Sequence, residues 1–357
     1  GGAAGDVATA RPPRAAAPLA LIAVTDGRAG NRAQALGLAE ALARRRPAAR
    51  AEIAERTVTL RPAAARLPPR FWALLAAPGW RGPLPWPEAG LDPGTRDLAM
   101  APPSPGALLI GAGRRAGPVV AALAARHGLA SVQLLGPQMA PCHFGLVAAP
   151  AHDGLTGDNV VATLGSVGRL TRTGIEAAAS ALPDAVRAAL DALPRPRLAL
   201  LLGGPSRSAG FAAADAEALA TAVAAAAAGG WSVMVTPSRR SPPGLAARLA
   251  AACPPGRGWA WDGVDAATNP YPGMLGLADA VLVTEDSVNM ASEAAASGLP
   301  VHVFRLALVS RKIRAFHRAL AEHGASRPYD GALAAWSYAP LAEADRLAAL
   351  VETRLLR

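Results

Sequence analysis

The chain is poor in lysine, aromatic residues and cysteine. Lys312 is the single lysine among 36 basic residues in 357, so arginine carries nearly all the positive charge. Phe, Trp and Tyr make up 4% of the residues, and they form no run with basic residues that would stack nucleic-acid bases. Cys142 and Cys253 show neither CxxC nor metal-ligand spacing, which favours reduced thiols over a disulfide. These shortages argue against a nucleic-acid partner and against a secreted disulfide scaffold.

Long apolar runs and common catalytic motifs are also missing. No run reaches the roughly 18 apolar residues that a membrane span needs. The apolar stretch 15–24 imitates a signal peptide, but it leads into a charged motif and lacks a small-residue cleavage site. D-x-D, GxxxxGK[ST], HExxH and GxSxG are not found, which favours metal-independent chemistry. We therefore expect a disordered tail over residues 1–18, no metal cofactor and a cytoplasmic location.

The chain does have size, apolar content and positive charge. Its 357 residues are 52% hydrophobic and 17% charged, which predicts two globular domains. The net charge of +10 favours anionic ligands such as phosphates, or an anionic membrane surface on which the protein would lie peripherally.

Apolar strands alternate with amphipathic helices along the whole sequence. This pattern predicts parallel sheets with helices on both faces, and we expect an α/β fold of two Rossmann-like doubly wound domains facing a cleft. The expected segments are an N-terminal domain (19–170), a linker helix (171–194), a second domain (195–310) and C-terminal helices (311–357). The strands expected are 19–24, 51–58, 107–110, 130–135, 144–148, 160–164, 198–202, 231–235, 281–283 and 301–304.

A turn with one carboxylate and two glycines, TDGRAGN (25–31), follows the first strand and opens a helix. Gly27 and Gly30 permit close backbone approach, and Asn31 can cap the helix. Asp26 at a strand end can act as a base or hold a substrate hydroxyl, with Arg28 beside it. The alternative is a well-capped structural turn.

Two polar turns follow strands of the second half. Gly203 and Gly204 let a phosphate approach the backbone, while Ser206 and Arg207 offer a hydroxyl and a charged fork. The turn 236–241 adds Ser238 and Arg239, and its paired arginines suit a diphosphate. A plain strand-to-helix turn and a solvated arginine pair are the alternatives.

The segment 280–304, AVLVTEDSVNMASEAAASGLPVHVF, predicts a buried strand, a polar turn, a helix over 288–297 and a second buried strand. In such sheets, ligands bind beyond the carboxyl ends of strands, near helix N-termini. Asp286 and Ser287 occupy the turn, and Ser287 can cap the helix or bind phosphate. Asn289 and Glu293 share one helical face, where a carboxylate can take two ribose hydroxyls. An exposed glutamate without a role is the alternative.

The remaining candidates are a rigid loop, a histidine pair and a basic helix. Asn269 and Tyr271 in NPYP can frame a base, or they form a surface loop. His152 with Asp153 offers a second candidate base, and His143 also follows an apolar run in this half, although lone histidines are more often structural. Arg311, Lys312, Arg314 and His317 form a basic face that is either solvated or in contact with phosphate or membrane.

These motifs together resemble the bacterial and plant family of mitochondrial fission (elongated-mitochondria) proteins. The segments that carry the resemblance are VTDGRAGNRAQALGLAEAL, LLGGPSRS, TPSRRSP, NPYPGMLGLADAVLVTEDSVNMASEAAASGLPV and FHRALAEHGASRP with WSYAP. The Gly-Gly turn and the EAAASGLPV helix are also similar to GT-B glycosyltransferases, such as the enzyme that adds N-acetylglucosamine to a lipid-linked peptidoglycan precursor.

The resemblance implies a metal-independent, inverting transferase that uses a nucleotide-diphosphate sugar. It implies that Glu293 holds the ribose, that Gly203, Gly204 and Ser287 hold the diphosphate, and that a lipid-linked or membrane acceptor lies near Asp26. It also implies that the final helix returns to the N-terminal domain. Those transferases often carry a Gly-rich loop with a histidine where this chain has Asp26–Gly30, so Asp26 and His152 both remain candidates for the base. A non-catalytic adaptor at a membrane surface and a nucleotide-sugar epimerase are the alternatives.

Overall fold

The computed structural model describes residues 18–75, 77–79, 81–261, 263 and 269–356. Residues 1–17 of the expected tail lie outside this part.

The first half forms a six-stranded parallel sheet. Its strands are β1 (Ala20–Thr25), β2 (Glu52–Thr57), β3 (Leu108–Ala112), β4 (Ser131–Leu134), β5 (Leu146–Pro150) and β6 (Val160–Thr163). They lie in the order β2-β1-β3-β4-β5-β6, and every pairing is parallel. The order therefore reverses between β1 and β3.

The second half forms another six-stranded parallel sheet. Its strands are β7 (Arg197–Leu202), β8 (Ser232–Pro237), β9 (Gly258–Ala260), β10 (Ala280–Thr284), β11 (Val301–Phe304) and β12 (Ser326–Pro328). The order is β12-β11-β10-β7-β8-β9, which is the strand order of dinucleotide-binding sheets and reverses between β7 and β10.

Helices cover both faces of the two sheets. They are α1 (Ala29–Arg45), α2 (Pro62–Arg66), α3 (Pro69–Leu75), α4 (Pro93–Ala99), α5 (Ala116–His127), α6 (Arg172–Ser180), α7 (Asp184–Asp191), α8 (Ala213–Ala228), α9 (Leu245–Ala251), α10 (Tyr271–Leu277), α11 (Val288–Ser297), α12 (Arg311–Glu322) and α13 (Glu343–Leu355). Short 3-10 turns lie at Pro47–Ala49, Glu88–Gly90, Pro141–His143 and Ala151–Asp153. None of the helices in the described residues is both long and apolar enough to span a membrane.

Alternate residues of each central strand enter different cores, because side chains alternate across a strand. In β1, Leu21 packs into a core shared with α1 and α13, whereas Ile22 packs into a core shared with α5. In β7, Leu201 and Leu202 divide in the same way. The predicted α/β class with two doubly wound units is confirmed.

The segment expected as one long linker helix, 171–194, is two helices, so that prediction was wrong. Pro183 precedes α7 and ends the first helix, since the residue before a proline is disfavoured in helical conformation. Ile175 and Leu190 are buried in the core of the second unit. The segment therefore belongs to that unit's packing.

The chain passes between the units twice, at 164–171 and at 329–342. The second passage is irregular and follows β12, where the sequence suggested mostly helix. It ends at α13, which packs on α1 through the buried residues Leu347 and Val351. The first passage meets the start of α13, since the Leu164 N–H donates to Glu343 Oε2 at 3.0 Å.

Candidate functional site

Both points of strand-order reversal carry the polar turns that the sequence singled out. Asp26 follows β1 and Gly113 follows β3, while Gly203 follows β7 and Glu285 follows β10. Ligands of open α/β sheets bind at such points. The topology therefore places one candidate subsite on each unit.

The first subsite is a cleft of about 880 Å³ at the carboxyl edge of the first sheet. Residues from both units line it, because α12 of the second unit reaches across. The polar lining residues include Asp26, Arg28, Asn31, Arg114, Gln138, Asp153 and Lys312.

Asp26 is held in a fixed position within this cleft. Its side chain is 4% exposed, and Oδ1 accepts hydrogen bonds from Asn31 Nδ2 at 2.8 Å and from the Arg28 N–H at 3.3 Å. Asn31 was expected to cap α1, but the helix begins at Ala29, so Asn31 lies inside it and orients Asp26 instead. Gly27 has a φ of +76°, as the tight turn requires.

His152 lies at the edge of the cleft beside Asp153. His152 Nε2 is 3.9 Å from Asp153 Oδ1, and the same carboxylate oxygen accepts from Lys312 Nζ of α12 at 2.6 Å. Asp153 thus links the two units across the cleft. The structure places His152 and Asp26 on separate loops of the first sheet.

Sequence reasoning missed three features of this cleft. Arg114 lies two residues after the end of β3, so the strand-end rule that identified Asp26 could have found it. Leu135 and Gln138 have φ values of +68° and +61°, which is uncommon for residues with a side chain. Such conformations concentrate at functional sites, and they have no signature in this sequence.

The Gly203–Gly204 turn is used differently from the expectation. The Gly203 N–H donates to Thr284 Oγ1 at 2.8 Å, and the Gly204 N–H donates to Asp286 Oδ2 at 2.9 Å. Both donors are therefore occupied. A Cβ on either glycine would collide, at Gly203 with the Asp286 carboxylate and at Gly204 with the Arg240 carbonyl. The glycines allow close packing of the three turns in this structure.

Asp286, a candidate for binding the nucleotide or its phosphates, is engaged within the protein. Its carboxylate is fully buried and accepts from Thr284 Oγ1 at 2.7 Å, from the Gly204 N–H and from Arg240 Nη2 at 3.1 Å. These bonds fasten the turns after β7, β8 and β10 to one another.

Two arginines of these turns remain available. Arg207 and Arg239 are exposed, and within the described residues neither side chain has a hydrogen bond or an ion pair. Ser206 Oγ accepts from the Ser208 N–H at 3.2 Å, and Ser238 Oγ accepts from the Arg240 N–H at 3.2 Å. The serines therefore shape the turns that carry the two free guanidinium groups.

The face of α11 that was expected to bind ribose is turned towards the passage between the units. Ser287 caps the helix by accepting from the Met290 N–H at 3.3 Å. Asn289 Oδ1 accepts from Ser166 Oγ, and a Cβ at Gly30 of α1 would lie 2.9 Å from Asn289 Nδ2. The first passage thus crosses directly over this face.

Glu293 lines a cavity of about 240 Å³ between α11, the first passage and the start of α13. It keeps some accessible surface because it faces this space, but surrounding protein raises its pKa to about 7. The nearby Tyr271 hydroxyl lowers that pKa by a smaller amount, and burial raises the pKa of Tyr271 well above its ordinary value. Tyr271 Oη has no partner with normal hydrogen-bond geometry among the described residues.

Tyr271 was expected to frame a base from a rigid loop, but the structure places it at the first position of α10. Its ring packs against the core of the second unit, and its backbone N–H donates to Asn269 Oδ1 at 3.0 Å. Asn269 therefore caps the start of α10. The pairing of Tyr271 with Glu293 joins positions 22 apart, and no sequence pattern indicated it.

The basic face of α12 is not uniform. Lys312 is paired with Asp153, and His317 is buried, with Nε2 2.8 Å from the Glu285 carbonyl oxygen. Arg311 and Arg314 are exposed. No group of three or more His, Cys, Asp or Glu side chains is arranged to hold a metal ion in the described part of the chain, and metal independence remains a prediction.

A family model described as "Mitochondrial fission ELM1" matches residues 29–355. The chain belongs to the mitochondrial fission ELM1 family. The mitochondrial fission protein ELM1 of Arabidopsis thaliana is 30% identical over 202 residues, covering 56% of this chain and 46% of the plant protein. An uncharacterized protein of Rickettsia prowazekii (strain Madrid E) is 36% identical over 91 residues, covering 24% of this chain and 26% of that protein. The match thus spans less than half the length of either relative.

Solved structures share the fold of this family member at low identity. The glycotransferase of kitacinnamycin superimposes with a TM-score of 0.52 and 15% identity, over 95% of this chain and 99% of that one. The UDP-GlcNAc 2-epimerase of Methanocaldococcus jannaschii gives a TM-score of 0.50 and 11% identity, over 94% of this chain and all of that one. The predicted GT-B-like fold, common to glycosyltransferases and epimerases, is confirmed.

Proposed function

We propose that this chain binds a nucleotide-diphosphate sugar between its two units and transfers the sugar, with inversion and without a metal, to a hydroxyl acceptor. The observation that carries the proposal is Glu293. It is a deeply placed carboxylate that faces an internal cavity and has no ion-pair partner among the described residues. Perturbed carboxylates in cavities are candidate functional groups, and two ribose hydroxyls would satisfy this one.

The turns around α11 supply groups for the diphosphate. Arg207 and Arg239 are free guanidinium forks at the carboxyl edge of the second sheet. The first N–H groups of α11 have no partner within the helix and lie at the positive end of its dipole. Together they would stabilise the negative charge that develops on the departing diphosphate.

The acceptor would lie in the cleft beside Asp26. Asp26 is fixed by Asn31, and its carboxylate can take the proton of an acceptor hydroxyl as the carbon–oxygen bond to the sugar forms. His152 is the second candidate for this base. A lipid-linked or membrane acceptor stays a prediction that follows from the family resemblance.

The fold supports a nucleotide-sugar substrate without naming the reaction. The two structural neighbours are named as a glycotransferase and as an epimerase of UDP-GlcNAc. An epimerase is therefore the second candidate function, because it would use the same donor subsite. It would convert a sugar nucleotide in the absence of any acceptor, whereas a transferase would require one.

The test is binding of UDP, GDP, ADP and CMP by thermal shift, followed by titration calorimetry with the nucleotide that binds. We expect Glu293→Gln to weaken that nucleotide about tenfold or more, since hydrogen bonds to a charged group are lost. Asp26→Asn should leave affinity unchanged and abolish turnover. Glu52→Gln, an exposed glutamate of β2, is the matched control.

The pH dependence sharpens this test. Hydroxyl binding favours the ionised carboxylate, so nucleotide affinity should rise as pH increases through about 7, the pKa of Glu293. The rise should vanish in Glu293→Gln. Equal affinity of the wild type and Glu293→Gln would remove Glu293 from the donor subsite. Absence of any nucleotide binding by folded protein would favour the non-catalytic adaptor.

A further inference from the structure

A second cavity, of about 410 Å³, lies beside α12 on the far edge of the second sheet. Its wall is formed by the ends of β10 and β11, by β12 and by one face of α12. Arg314, His317 and Ala321 project from that helix at spacings of three and four, so they share a face. The wall does not include Glu293 or Asp26, and the cavity is separate from both proposed subsites.

Three arginines surround this cavity without compensating partners. Arg305, Arg314 and Arg318 all line it, and in the described part of the chain none of their guanidinium groups has a hydrogen bond or an ion pair. Several other arginines of this protein are paired, for example Arg45 and Arg46 with Glu352. Three unpaired forks around one space therefore indicate an anion as the missing partner.

Two polar side chains form the interior of the wall. Glu285 is the one carboxylate among the lining residues, and it accepts from the Leu306 N–H at 2.9 Å. His317 is 9% exposed. Its Nε2 donates to the Glu285 carbonyl, and burial lowers the pKa of the ring, which favours its neutral form. Nδ1 is then a buried acceptor, and it has no partner among the described residues.

The chemistry of the wall defines the ligand. Three guanidinium forks match the three oxygens of a phosphomonoester, and a neutral Nδ1 requires a donor such as a hydroxyl. Val303, Leu306 and Pro328 add apolar surface, and the volume lies in the range of small-molecule sites. We propose that this cavity binds an organic phosphomonoester that also carries a hydroxyl group, at a site distinct from the donor nucleotide.

The probe is glycerol 3-phosphate, added to the full chain and followed by titration calorimetry. We expect saturable binding to the wild type. In Arg314→Gln/Arg318→Gln the dissociation constant should rise about tenfold or more, because charge-assisted hydrogen bonds are lost. Arg66→Gln/Arg311→Gln removes the same charge from exposed arginines outside the wall and should bind like the wild type.

Ala321→Phe gives a second test that keeps every charge. Ala321 lies on the wall at the end of α12, so a larger side chain would fill the space and should abolish binding. A circular dichroism melt of each variant checks folding. Unchanged binding in both Arg314→Gln/Arg318→Gln and Ala321→Phe would overturn the proposal. It would also be overturned if the Arg66→Gln/Arg311→Gln control lost as much affinity as Arg314→Gln/Arg318→Gln.

A second experiment decides whether the phosphomonoester belongs to a membrane lipid or to a soluble molecule. Vesicles of phosphatidylcholine with phosphatidic acid present the same group on a membrane, and sedimentation measures their binding. Loss of sedimentation in Ala321→Phe would assign a lipid headgroup, whereas calorimetric binding without sedimentation would assign a soluble metabolite. Glu293→Gln should retain glycerol 3-phosphate binding, so the proposal for this cavity is tested independently of the proposed donor subsite.

Discussion

Glu293 couples the proposed donor subsite to the stability of the protein. Burial raises its pKa from an ordinary value of 4.5 to about 7, so folding favours the protonated form. The bound proton contributes its full amount to the free energy of unfolding below pH 4.5. This contribution is lost as the pH rises from there through 7. The pKa difference corresponds to roughly 3 kcal/mol between these limits.

We predict that Glu293→Gln removes this pH-dependent loss of stability. The free energy of unfolding, measured by urea denaturation at pH 5 and pH 8, should fall by roughly 2–3 kcal/mol less in the variant than in the wild type, because part of the change lies below pH 5. Glu52→Gln should follow the wild type. Parallel pH profiles for the wild type and Glu293→Gln would show that Glu293 titrates in its ordinary range.

For individual residues, the sequence predicted which side chains lie near the site better than it predicted their hydrogen-bond partners. Asp26 lies in the turn after β1, as the strand-end rule predicted, and Glu293 lies on the helix predicted for it. The Gly203–Gly204 turn looks suited to phosphate in sequence, but its N–H groups donate to Thr284 and to Asp286, and Asp286 is itself paired with Arg240. Arg240 and Asp286 are 46 positions apart, and only the register of three neighbouring strands brings them together. Competition between internal and ligand hydrogen bonds is therefore invisible in a sequence.

Among the elements, α10 and α6 pack unusually closely. A Cβ on Gly276 would lie 2.7 Å from Ala179 Cβ and 3.0 Å from the Ile175 carbonyl oxygen. Gly273 lies on the same face of α10, and a Cβ on it would likewise lie too close to Leu182. Glycine in a helix normally reduces stability, so its presence here reflects the close approach of the two helices.

We expect Gly276→Ala to destabilise the second unit by about 1–3 kcal/mol, because overpacking outweighs the gain in helix propensity. The measurement is the free energy of unfolding in urea. Propensity alone predicts the opposite sign, with a gain of about 1 kcal/mol. A stabilised variant would therefore show that the helices can move apart.

Elements with strong local patterns were predicted well, and those set by contacts were not. The helix 288–297 was predicted with the bounds of α11, because Ser287 and Gly298 mark its ends. The short strand β12 was missed, since its three residues pair only with β11 and carry no alternation. The break before α7 has a local cause in Pro183, which helical periodicity on both sides concealed.

For the whole molecule, the end of the chain completes the core of its first half. Leu347 of α13 is fully buried against α1. We expect Leu347→Ala to lower the free energy of unfolding by about 2–5 kcal/mol, as for other buried leucines. Fluorescence-detected urea denaturation measures it.

Asp345→Ala is the control on the same helix. Asp345 forms an exposed ion pair with Arg44, and such pairs contribute about 0–1 kcal/mol. Hydrogen exchange should place the loss caused by Leu347→Ala in β1, β3 and α1. A loss confined to α13 would mean that the first unit is stable without it.

The contact between the first passage and the start of α13 sets how the cleft can open. The Leu164 N–H donates to Glu343, the residue that directly follows the second passage, and Arg346 donates to the Ala162 carbonyl at 2.7 Å. Both covalent connections therefore meet the first unit at one place. Relative motion of the halves would bend the two connections together, as a two-stranded hinge, and opening of the cleft would separate Asp153 from Lys312. A single backbone cut in either connection would leave the halves tethered by the other.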